Sequence, residues 1–376
     1  CQAFARVHRF RSPVGSSFGL GHNTLRILPP PEYFHDHPEF YGLDDKGKRE
    51  ALWEPEQYNA LWEDKELERM RQICMSNPDV AAAITARFRE RMPNEPNVDF
   101  WGIFQEDLDN WCLCDRCAAI DAHEGTPMGS MLTGINRVAE AIEQEFPDKQ
   151  LMTYAYSYTR HPPKHMQPRD NISFLLCTIE CDFLRPFEAG GKKENKSFVR
   201  DLKNWARLTD NLLVYDYAPN FAAWMRPHPN FGVIVPNLRM YAENGVTGVF
   251  VQGDPQGSGG MVPLRGYLIA QGLWNPFIDH EAVRHEFMNL YYGAAAPFME
   301  AYVDLATKTA LDRDVYMGCF DDGSWLDYEF VRAAVELMKQ AMAAADTDTT
   351  RHRVRQEWLR LQYAGLTAKA KVTRQG

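Results

Sequence analysis

The stretch Val98–Cys117, VDFWGIFQEDLDNWCLCDRC, decides the fold of this 376-residue chain. It opens with a β-rich apolar run typical of a buried strand, and it breaks at once into Glu106-Asp107 and then into three cysteines. A helix is predicted next, because apolar residues from 131 to 146 recur at helical spacing with glutamate and glutamine on the other face. An apolar strand that ends in acidic residues and leads through a loop into a helix is typical of the active-site corner of a (β/α) enzyme.

The same pattern recurs along the chain and predicts an α/β fold. Strands are predicted at 4–10, 72–75, 98–104, 151–158, 171–181, 212–217 and 246–252. Helices are predicted at 55–70, 79–91, 131–146, 198–208, 231–244, 264–273, 281–292, 298–309, 328–344 and 350–366. The strand candidates are nearly continuous apolar runs, which favours parallel strands covered on both faces.

We therefore expect a (β/α)₈ TIM-type barrel that lacks its first strand, which would lie upstream of Cys1, and that ends in C-terminal helices. Residues 1–305 would form the barrel and residues 306–376 a helical extension packed on it. The alternative is an open doubly wound sheet, which would normally carry a glycine-rich phosphate turn after its first strand. The sequence contains neither GxGxxG nor GxxxxGK[ST], so the barrel is preferred.

Composition narrows the classes of function. Hydrophobic residues make up 45% of the chain and charged residues 24%, as in an ordinary globular enzyme. The net charge of −10, without a basic block, argues against a nucleic-acid partner. No apolar run approaches the roughly 20 residues that a membrane span requires. The N-terminal CQAFARVHRF is not a signal peptide and suggests a chain that starts inside a domain; the oligomeric state is not indicated.

Three carboxylates at predicted strand ends are the catalytic candidates. Glu106 and Asp107 follow one buried strand, and Glu180 follows another within FLLCTIEC. Burying a lone carboxylate is costly unless it is paired or used, and an apolar setting would keep Glu180 protonated, as a general acid requires. The alternatives are a solvated acidic turn for the first pair and a structural ion pair of Glu180 with an arginine such as Arg185.

Aromatic and polar side chains are also predicted at or just after strand ends. They are Trp101, Tyr154, Tyr156, Tyr158, Tyr217 and Trp224, together with His22, Asp216 and Gln252. Tyrosines at period 2 are often core residues, but several at the mouth of one barrel would stack on sugar rings. Carboxylates and aromatics without a cofactor motif favour glycoside cleavage with no cofactor.

The cysteine cluster Cys112-x-Cys114-x-x-Cys117 has three interpretations. A tetrahedral zinc site needs a fourth ligand, for which Cys177, Cys181 and His123 are candidates. A Cys112–Cys117 disulfide is the second interpretation, and free buried thiols are the third. In each case the cluster would brace the loop that follows Asp107. No HExxH occurs, so a catalytic metal is not expected.

Many separate motifs in order give the chain a family resemblance. FQEDLDNWCLCDRCAAID, INRVAEAIEQEFPDKQLMTYAYSYTRHPPK, RDNISFLLCTIECDF, PPPEYFHDHPEFYGL, QICMSNPDV, VYDYAPNF, GVTGVFVQGD and LYYGAAAPFMEAY resemble the bacterial family DUF4838. Part of that family is glycoside hydrolase family 163, endo-β-N-acetylglucosaminidases that act on complex N-glycans. The resemblance extends to about residue 305. It departs at Glu106, where relatives commonly carry asparagine, and at Met261, where they often carry glutamate.

The resemblance implies a (β/α)₈ barrel and substrate-assisted cleavage of β-N-acetylglucosaminides of N-glycans. On this basis we expect Glu180 to be the acid and Asp107 the carboxylate that orients the acetamido group, with Glu106 as a substitute for either role. The sugar subsite would be lined by His22, Tyr156, Tyr158, Asp216, Tyr217, Trp224 and Gln252. The resemblance also implies an oligosaccharide or glycoprotein glycan as partner, outside the cell or in the periplasm.

Three other functions remain open from the sequence. The first is a non-catalytic glycan-binding barrel, in which the aromatics are retained but no bond is cleaved. The second is an exo-acting hexosaminidase or uronidase, of which the uronidase would need a basic subsite. The third is a zinc-knuckle nucleic-acid module, which the acidic net charge disfavours.

Overall fold

The computed structural model describes residues 21–50, 71–189, 191–254 and 257–367. Its centre is a five-stranded parallel sheet that curls into a half-barrel, and each strand pairs with its neighbours in chain order. The strands are β1 (Phe100–Gly102), β2 (Gln150–Ala155), β3 (Ile172–Cys177), β4 (Leu212–Tyr217) and β5 (Gly248–Gln252). All carboxyl ends therefore meet at one edge of the sheet, where parallel α/β folds place their chemistry.

Helices alternate with most of the strands and then continue to the end of the described chain. They are α1 (Thr24–Ile27), α2 (Pro30–Tyr33), α3 (Pro78–Arg91), α4 (Asp115–Glu124), α5 (Met128–Glu145), α6 (Lys193–Leu208), α7 (Phe231–Glu243), α8 (Val262–Trp274), α9 (His280–Tyr292), α10 (Ala296–Asp312), α11 (Tyr328–Ala344) and α12 (Asp348–Thr367). Helices α4 and α5 connect β1 to β2, α6 connects β3 to β4, and α7 connects β4 to β5, as parallel pairing requires.

Local sequence explains where several of these helices begin and end. Asn77 caps α3 by accepting a hydrogen bond from the Asp79 amide, and Pro78 occupies the first helical position. Helix α4 ends at Gly125, whose φ of +72° is the left-handed conformation that glycine adopts without steric cost. Only residues 125–127 separate α4 from α5, and the two helices pack against each other, with α5 also packed on β2.

The predicted α/β class and the parallel strands are confirmed, whereas the strands of the described residues form a half-barrel and not a closed barrel. The prediction of a strand at 72–75 is wrong, because Ile73 forms only an isolated antiparallel bridge with Tyr41. The strand predicted at 151–158 ends at residue 155, because Ser157 adopts a φ of +49° in a 3₁₀ turn. The strand predicted at 4–10 and the helix predicted at 55–70 lie outside the described residues.

The main apolar core lies between the sheet and helices α3, α5 and α6. Every residue of β3 is buried, as expected for a strand covered on both faces. Trp205 of α6 packs on Phe174 of β3 with ring centroids 4.4 Å apart. Its indole N–H donates to the Arg160 carbonyl oxygen at 2.8 Å, which satisfies the polar atom of a fully buried ring.

A second apolar core joins helices α8 to α12, and Leu184 and Phe231 of the α/β part contribute to it. Trp325, in the segment between α10 and α11, is one of its largest fully buried side chains. The predicted boundary after residue 305 lies inside α10, and the helices of this core begin with α8. None of the described helices is long and apolar enough to cross a membrane.

Candidate functional site

A cavity of about 460 Å³ opens at the carboxyl-terminal edge of the sheet, and we call it the sheet-edge pocket. Its size is within the range of small-molecule sites. Its lining consists of Gly21, His22, Asp107, Tyr154, Tyr156, Cys177, Ile179, Tyr215, Tyr217, Phe221, Gln252 and Phe320. The chain therefore brings together residues from the ends of β2 to β5, from the segment after β1 and from the segment before α1.

Strand alternation explains which side chains of β4 enter this pocket. Tyr215 and Tyr217 are two residues apart, so they project from the same face of the sheet, and both line the pocket. The Tyr215 hydroxyl donates to the Gln252 side-chain oxygen at 2.8 Å on the neighbouring strand β5. Burial is the main cause of the raised pKa of both tyrosines, so both hydroxyls remain protonated donors at neutral pH.

Among the described residues, Asp107 is the only carboxylate in this lining; it accepts a hydrogen bond from one pocket residue and lies near a second. The Tyr156 hydroxyl donates to Asp107 Oδ1 at 2.6 Å, and His22 Nε2 lies 3.9 Å from the same oxygen. The side chains of His22 and Asp107 are 25% and 26% exposed, so both face the open cavity. Burial, followed by the negative charge of Asp107, raises the pKa of Tyr156 and keeps its hydroxyl a donor.

His22 is oriented by the backbone after β1. Its Nδ1 lies 2.5 Å from the Gln105 carbonyl oxygen, which can only accept, so Nδ1 carries the hydrogen. In the neutral ring this leaves Nε2, on the side of Asp107, as an acceptor. The predicted site residues His22, Asp107 and Tyr156 therefore lie together inside the pocket, and one hydrogen bond, from Tyr156 to Asp107, joins two of them.

Glu106, adjacent to Asp107, points away from this pocket and is almost fully buried. Its Oε1 accepts from the Thr24 hydroxyl and from the Leu25 amide, each at 2.9 Å. Its own amide donates to Gln72 Oε1 at 2.9 Å. The structure therefore places Glu106 as an anchor for α1, the helix that follows His22.

Glu180 lies three residues beyond β3, next to the pocket residue Ile179 and outside the lining. Its carboxylate pairs with Arg160 at 3.0 Å, and Arg160 also pairs with the buried Asp201 at 3.0 Å. The alternative interpretation, a structural ion pair of Glu180 with an arginine, is therefore confirmed with Arg160 in place of Arg185, which pairs with Asp182 and Asp314. The apolar setting expected for Glu180 is wrong, because its side chain is 36% exposed and faces an arginine.

The carboxylates of Asp107 and Glu180 nevertheless both lie near Tyr156 and Cys177. The negative charges of Asp107 and Glu180 both contribute, after burial, to the raised pKa of Tyr156 and of the Cys177 thiol. Tyr156 thus lies within electrostatic range of both carboxylates. Any joint role of Asp107 and Glu180 depends on this common proximity to Tyr156.

The remaining predicted subsite residues divide between the pocket and its surroundings. Tyr217 and Gln252 line the pocket. Asp216 projects from the opposite face of β4, where its carboxylate accepts from the Thr178 hydroxyl at 2.7 Å and from the Tyr241 hydroxyl at 3.1 Å. Burial raises the pKa of Asp216.

Three predicted aromatic residues lie outside this lining. Trp101 of β1 is buried and packs on Phe88 with ring centroids 5.3 Å apart. Tyr158 lies within the 3₁₀ turn Ser157–Thr159 and stacks on Trp111 with centroids 5.2 Å apart. Trp224 contacts the pocket residue Phe221 edge-on at 5.4 Å. These three residues therefore support neighbouring segments rather than the pocket itself.

Sequence analysis missed several pocket residues. Tyr215 is two residues before Tyr217, so strand period alone indicated it once Tyr217 was a candidate. Phe221 and Phe320 come from irregular segments, for which no periodic signal exists. Phe320 is 67% exposed although it is a large apolar residue, and it separates the sheet-edge pocket from a second cavity.

This second cavity, of about 370 Å³, is the flanking pocket. It is lined by Ile179, Val315, Tyr316, Gly318, Cys319, Phe320, Asp321, Asp322 and Ser324. Because Ile179 and Phe320 line both cavities, the two pockets adjoin. Asp321 and Asp322 add two acidic side chains to the lining of the flanking pocket.

The three cysteines predicted as a cluster do converge, and a fourth joins them. Cys74, Cys112, Cys114 and Cys117 are buried, and their sulfur atoms all lie within 4.8 Å of one another. The fourth member is not one of the candidates from sequence: Cys177 lies in the sheet-edge pocket, Cys181 in the main core, and His123 stacks near His165. Cys74 comes from the segment that pairs with residues 40–42, a contact between distant parts of the chain.

Comparison with known proteins identifies one family. A family model described as "Domain of unknown function (DUF4838)" matches residues 4–304, well over half of the chain. No curated protein matches the sequence.

Proposed function

The chain belongs to the DUF4838 family, and on that premise we propose that it is a glycoside hydrolase that cleaves β-N-acetylglucosaminides of N-glycans, as its resemblance to glycoside hydrolase family 163 implies. The observation that carries the proposal is Asp107, which accepts a hydrogen bond from Tyr156 and lies close to His22 inside an aromatic pocket at the carboxyl edge of a parallel sheet. A complete (β/α)₈ barrel is part of the proposal, and the five consecutive parallel strands support it.

The lining of the sheet-edge pocket suits a sugar. Tyrosine and phenylalanine rings provide faces on which a pyranose packs, and the hydroxyls of Tyr156, Tyr215 and Tyr217 provide hydrogen bonds. Within the described part of the chain the lining includes neither lysine nor arginine, which disfavours the uronidase alternative, because a uronate would need a basic partner. The adjoining flanking pocket gives room for further sugar units and favours endo over exo action.

In the proposed mechanism the 2-acetamido oxygen of the substrate attacks the anomeric carbon, and the bond to the leaving oxygen breaks. Asp107 orients the acetamido group and stabilises the charge that develops on it, and Tyr156 holds Asp107 in place. Glu180, after leaving its pair with Arg160 and taking up a proton from solvent, gives this proton to the leaving oxygen, and water then opens the cyclic intermediate. Glu106 has a supporting role here, since its carboxyl oxygen is occupied by α1.

One observation favours a second candidate function, a non-catalytic glycan-binding barrel. Glu180 pairs with Arg160 and lies outside the lining of the sheet-edge pocket, so Asp107 is the single carboxylate that faces the cavity. A binding protein would retain the aromatic rings and would not need a proton donor. The partner in both cases is an oligosaccharide or a glycoprotein glycan, and we propose an extracellular or periplasmic location for it.

The test combines a substrate panel with matched variants. The chain is incubated with N-glycoproteins and aryl β-N-acetylglucosaminides, and the products are read by mass spectrometry. Asp107→Asn and Glu180→Gln should each lower kcat by about 10²–10⁴-fold, the usual contribution of such groups. The control is Glu336→Gln on α11, whose exposed carboxylate pairs only with the neighbouring Lys339 in the described contacts.

The results separate the two candidates. Hydrolysis that both site variants lose and the control keeps supports the enzyme. Glycan binding without products, unaffected by Glu180→Gln, supports the binding barrel. If the Asp107→Asn and Glu180→Gln enzymes hydrolyse glycans at the wild-type rate, the assignment of these residues is wrong.

A further inference from the structure

Four buried cysteines from two distant segments meet at one point. Cys74 follows the Tyr41–Ile73 bridge, whereas Cys112, Cys114 and Cys117 belong to the loop after β1 and the first turn of α4. All four sulfur atoms lie within 4.8 Å of one another, and none of the four residues is more than 9% exposed. These four thiols form a cluster of their own, apart from the sheet-edge pocket.

The spacing of the sulfur atoms matches a tetrahedral metal site. Zinc–sulfur bonds of about 2.3 Å at tetrahedral angles place the sulfur atoms about 3.8 Å apart. In the structure, Cys74 Sγ lies 3.7 Å from Cys114 Sγ and 3.8 Å from Cys117 Sγ. We propose that Cys74, Cys112, Cys114 and Cys117 bind one structural Zn²⁺ ion.

The surroundings of the cluster are those of thiolate ligands. The Leu43 amide donates to Cys112 Sγ at 3.3 Å, and the Ser76 hydroxyl lies 3.0 Å from Cys117 Sγ. Cys114 is the N-cap residue of α4 and Cys117 lies in its first turn, where the helix dipole favours negative charge. Such donors compensate part of the charge that four thiolates bring to a buried site.

Backbone hydrogen bonds hold the segments that carry the four cysteines against residues 40–43. Residues 40–43 lie against both partner segments: the Cys74 amide donates to the Phe40 carbonyl oxygen at 2.7 Å, and the Leu113 amide donates to the Leu43 carbonyl oxygen at 2.8 Å. Gly42 permits this approach, because a Cβ atom there would lie 2.8 Å from the Gln72 carbonyl oxygen. The three segments thus enclose the four sulfur atoms.

The donor set decides the type of metal and its role. Four cysteines without an open position are typical of structural zinc, whereas catalytic zinc keeps a position for water or substrate. The ion would join the segment before α3 to the loop that begins directly after Asp107. It would therefore brace the edge of the sheet on which the site is built, and this inference stands whether or not the chain is a hydrolase.

The experiment measures metal in the chain itself. The protein is purified without a metal-affinity tag, and inductively coupled plasma mass spectrometry counts the bound elements. We expect about one zinc per chain in the wild type. Cys74→Ser and Cys117→Ser should each retain several-fold less zinc, whereas Cys319→Ser, which changes a buried cysteine outside the cluster, should retain it all.

A second measurement needs no variant, since a cysteine variant can fail to fold. Cobalt is exchanged into the wild-type chain, and the visible spectrum should show the intense bands of a tetrahedral tetrathiolate. A wild-type chain that carries no zinc and gives no such bands overturns the proposal. So does iron in the place of zinc, or a chain mass lowered by disulfides among these four cysteines.

Discussion

Replacement of Glu106 tests whether this carboxylate stabilises the fold while the adjacent Asp107 serves the site. Asp107 faces the sheet-edge pocket, whereas Glu106 is buried and holds α1 through Thr24 and Leu25. We expect Glu106→Ala to lower the free energy of unfolding, because two buried donors then lose their acceptor. Asp107→Asn should leave the free energy of unfolding within about 1 kcal/mol of the wild type, since its side chain is partly exposed.

The magnitude follows from the contacts. Each buried donor left without a partner costs about 1–3 kcal/mol, so Glu106→Ala should cost about 2–6 kcal/mol. Glu106→Gln keeps an acceptor oxygen of similar position and should cost about 1–2 kcal/mol. The free energy of unfolding should therefore be highest for the wild type, lower for Glu106→Gln and lowest for Glu106→Ala.

The assay is urea unfolding followed by tryptophan fluorescence, with hydrolysis or glycan binding measured below the transition. Activity of the Glu106→Gln variant should remain within about tenfold of the wild type, because His22 is still held by the Gln105 carbonyl oxygen. A Glu106→Ala variant that unfolds at the wild-type urea concentration refutes the anchoring role. A Glu106→Gln variant that is fully stable but as inactive as Asp107→Asn shows that Glu106 takes part in the reaction.

Three further substitutions test a close packing contact at Gly134, the burial of His228 and the hydrogen bond from Tyr156 to Asp107. Gly134→Ala would place a Cβ 2.5 Å from the Met75 carbonyl oxygen, and thermal unfolding should show a loss of about 1–3 kcal/mol. Burial lowers the pKa of His228 from 6.5 to about 3 in the native protein. As the pH falls from 6.5 towards 3, the unfolded chain therefore binds a proton at this residue that the native protein does not bind, and the free energy of unfolding decreases. His228→Leu should remove up to about 5 kcal/mol of that acid-induced loss, measured by urea unfolding across this pH range. Tyr156→Phe removes the hydroxyl bound to Asp107 and should lower kcat about tenfold to a hundredfold with little change in thermal stability.

Much of the α/β part could be predicted from the sequence because its strands are buried on both faces. The prediction for β4, 212–217, coincides with the observed strand, and all six residues of β3 lie inside the predicted 171–181. These apolar runs are bounded by polar residues, so their ends are visible in the sequence. Helix α4 was missed, because Ile120 is its one large aliphatic side chain and, of its ten residues, only Cys117 and Glu124 are buried.

The fourth cysteine shows a different limit. Cys74 is 40 residues from Cys114, and what brings them together is the antiparallel contact of residues 40–42 with residues 72–74. That contact involves an isolated bridge and not a regular strand, so no periodic pattern indicates it. A short spacing such as CxCxxC identifies part of a ligand set, and the tertiary fold supplies the rest.

The direction of side chains along a strand explains why some acidic candidates lie outside the pocket. Cys177 and Ile179 line the pocket from the end of β3, and Tyr215 and Tyr217 line it from β4. In an extended chain alternate residues face opposite sides, so on β4 the residue between two inward tyrosines must face the helices. Asp216 does so, and it is satisfied there by hydroxyl groups. A carboxylate within a strand is therefore a sound site candidate only when it lies an even number of residues from a side chain known to face the pocket. Asp107 is not subject to this alternation, because it lies beyond the end of β1, where the chain has already left the strand.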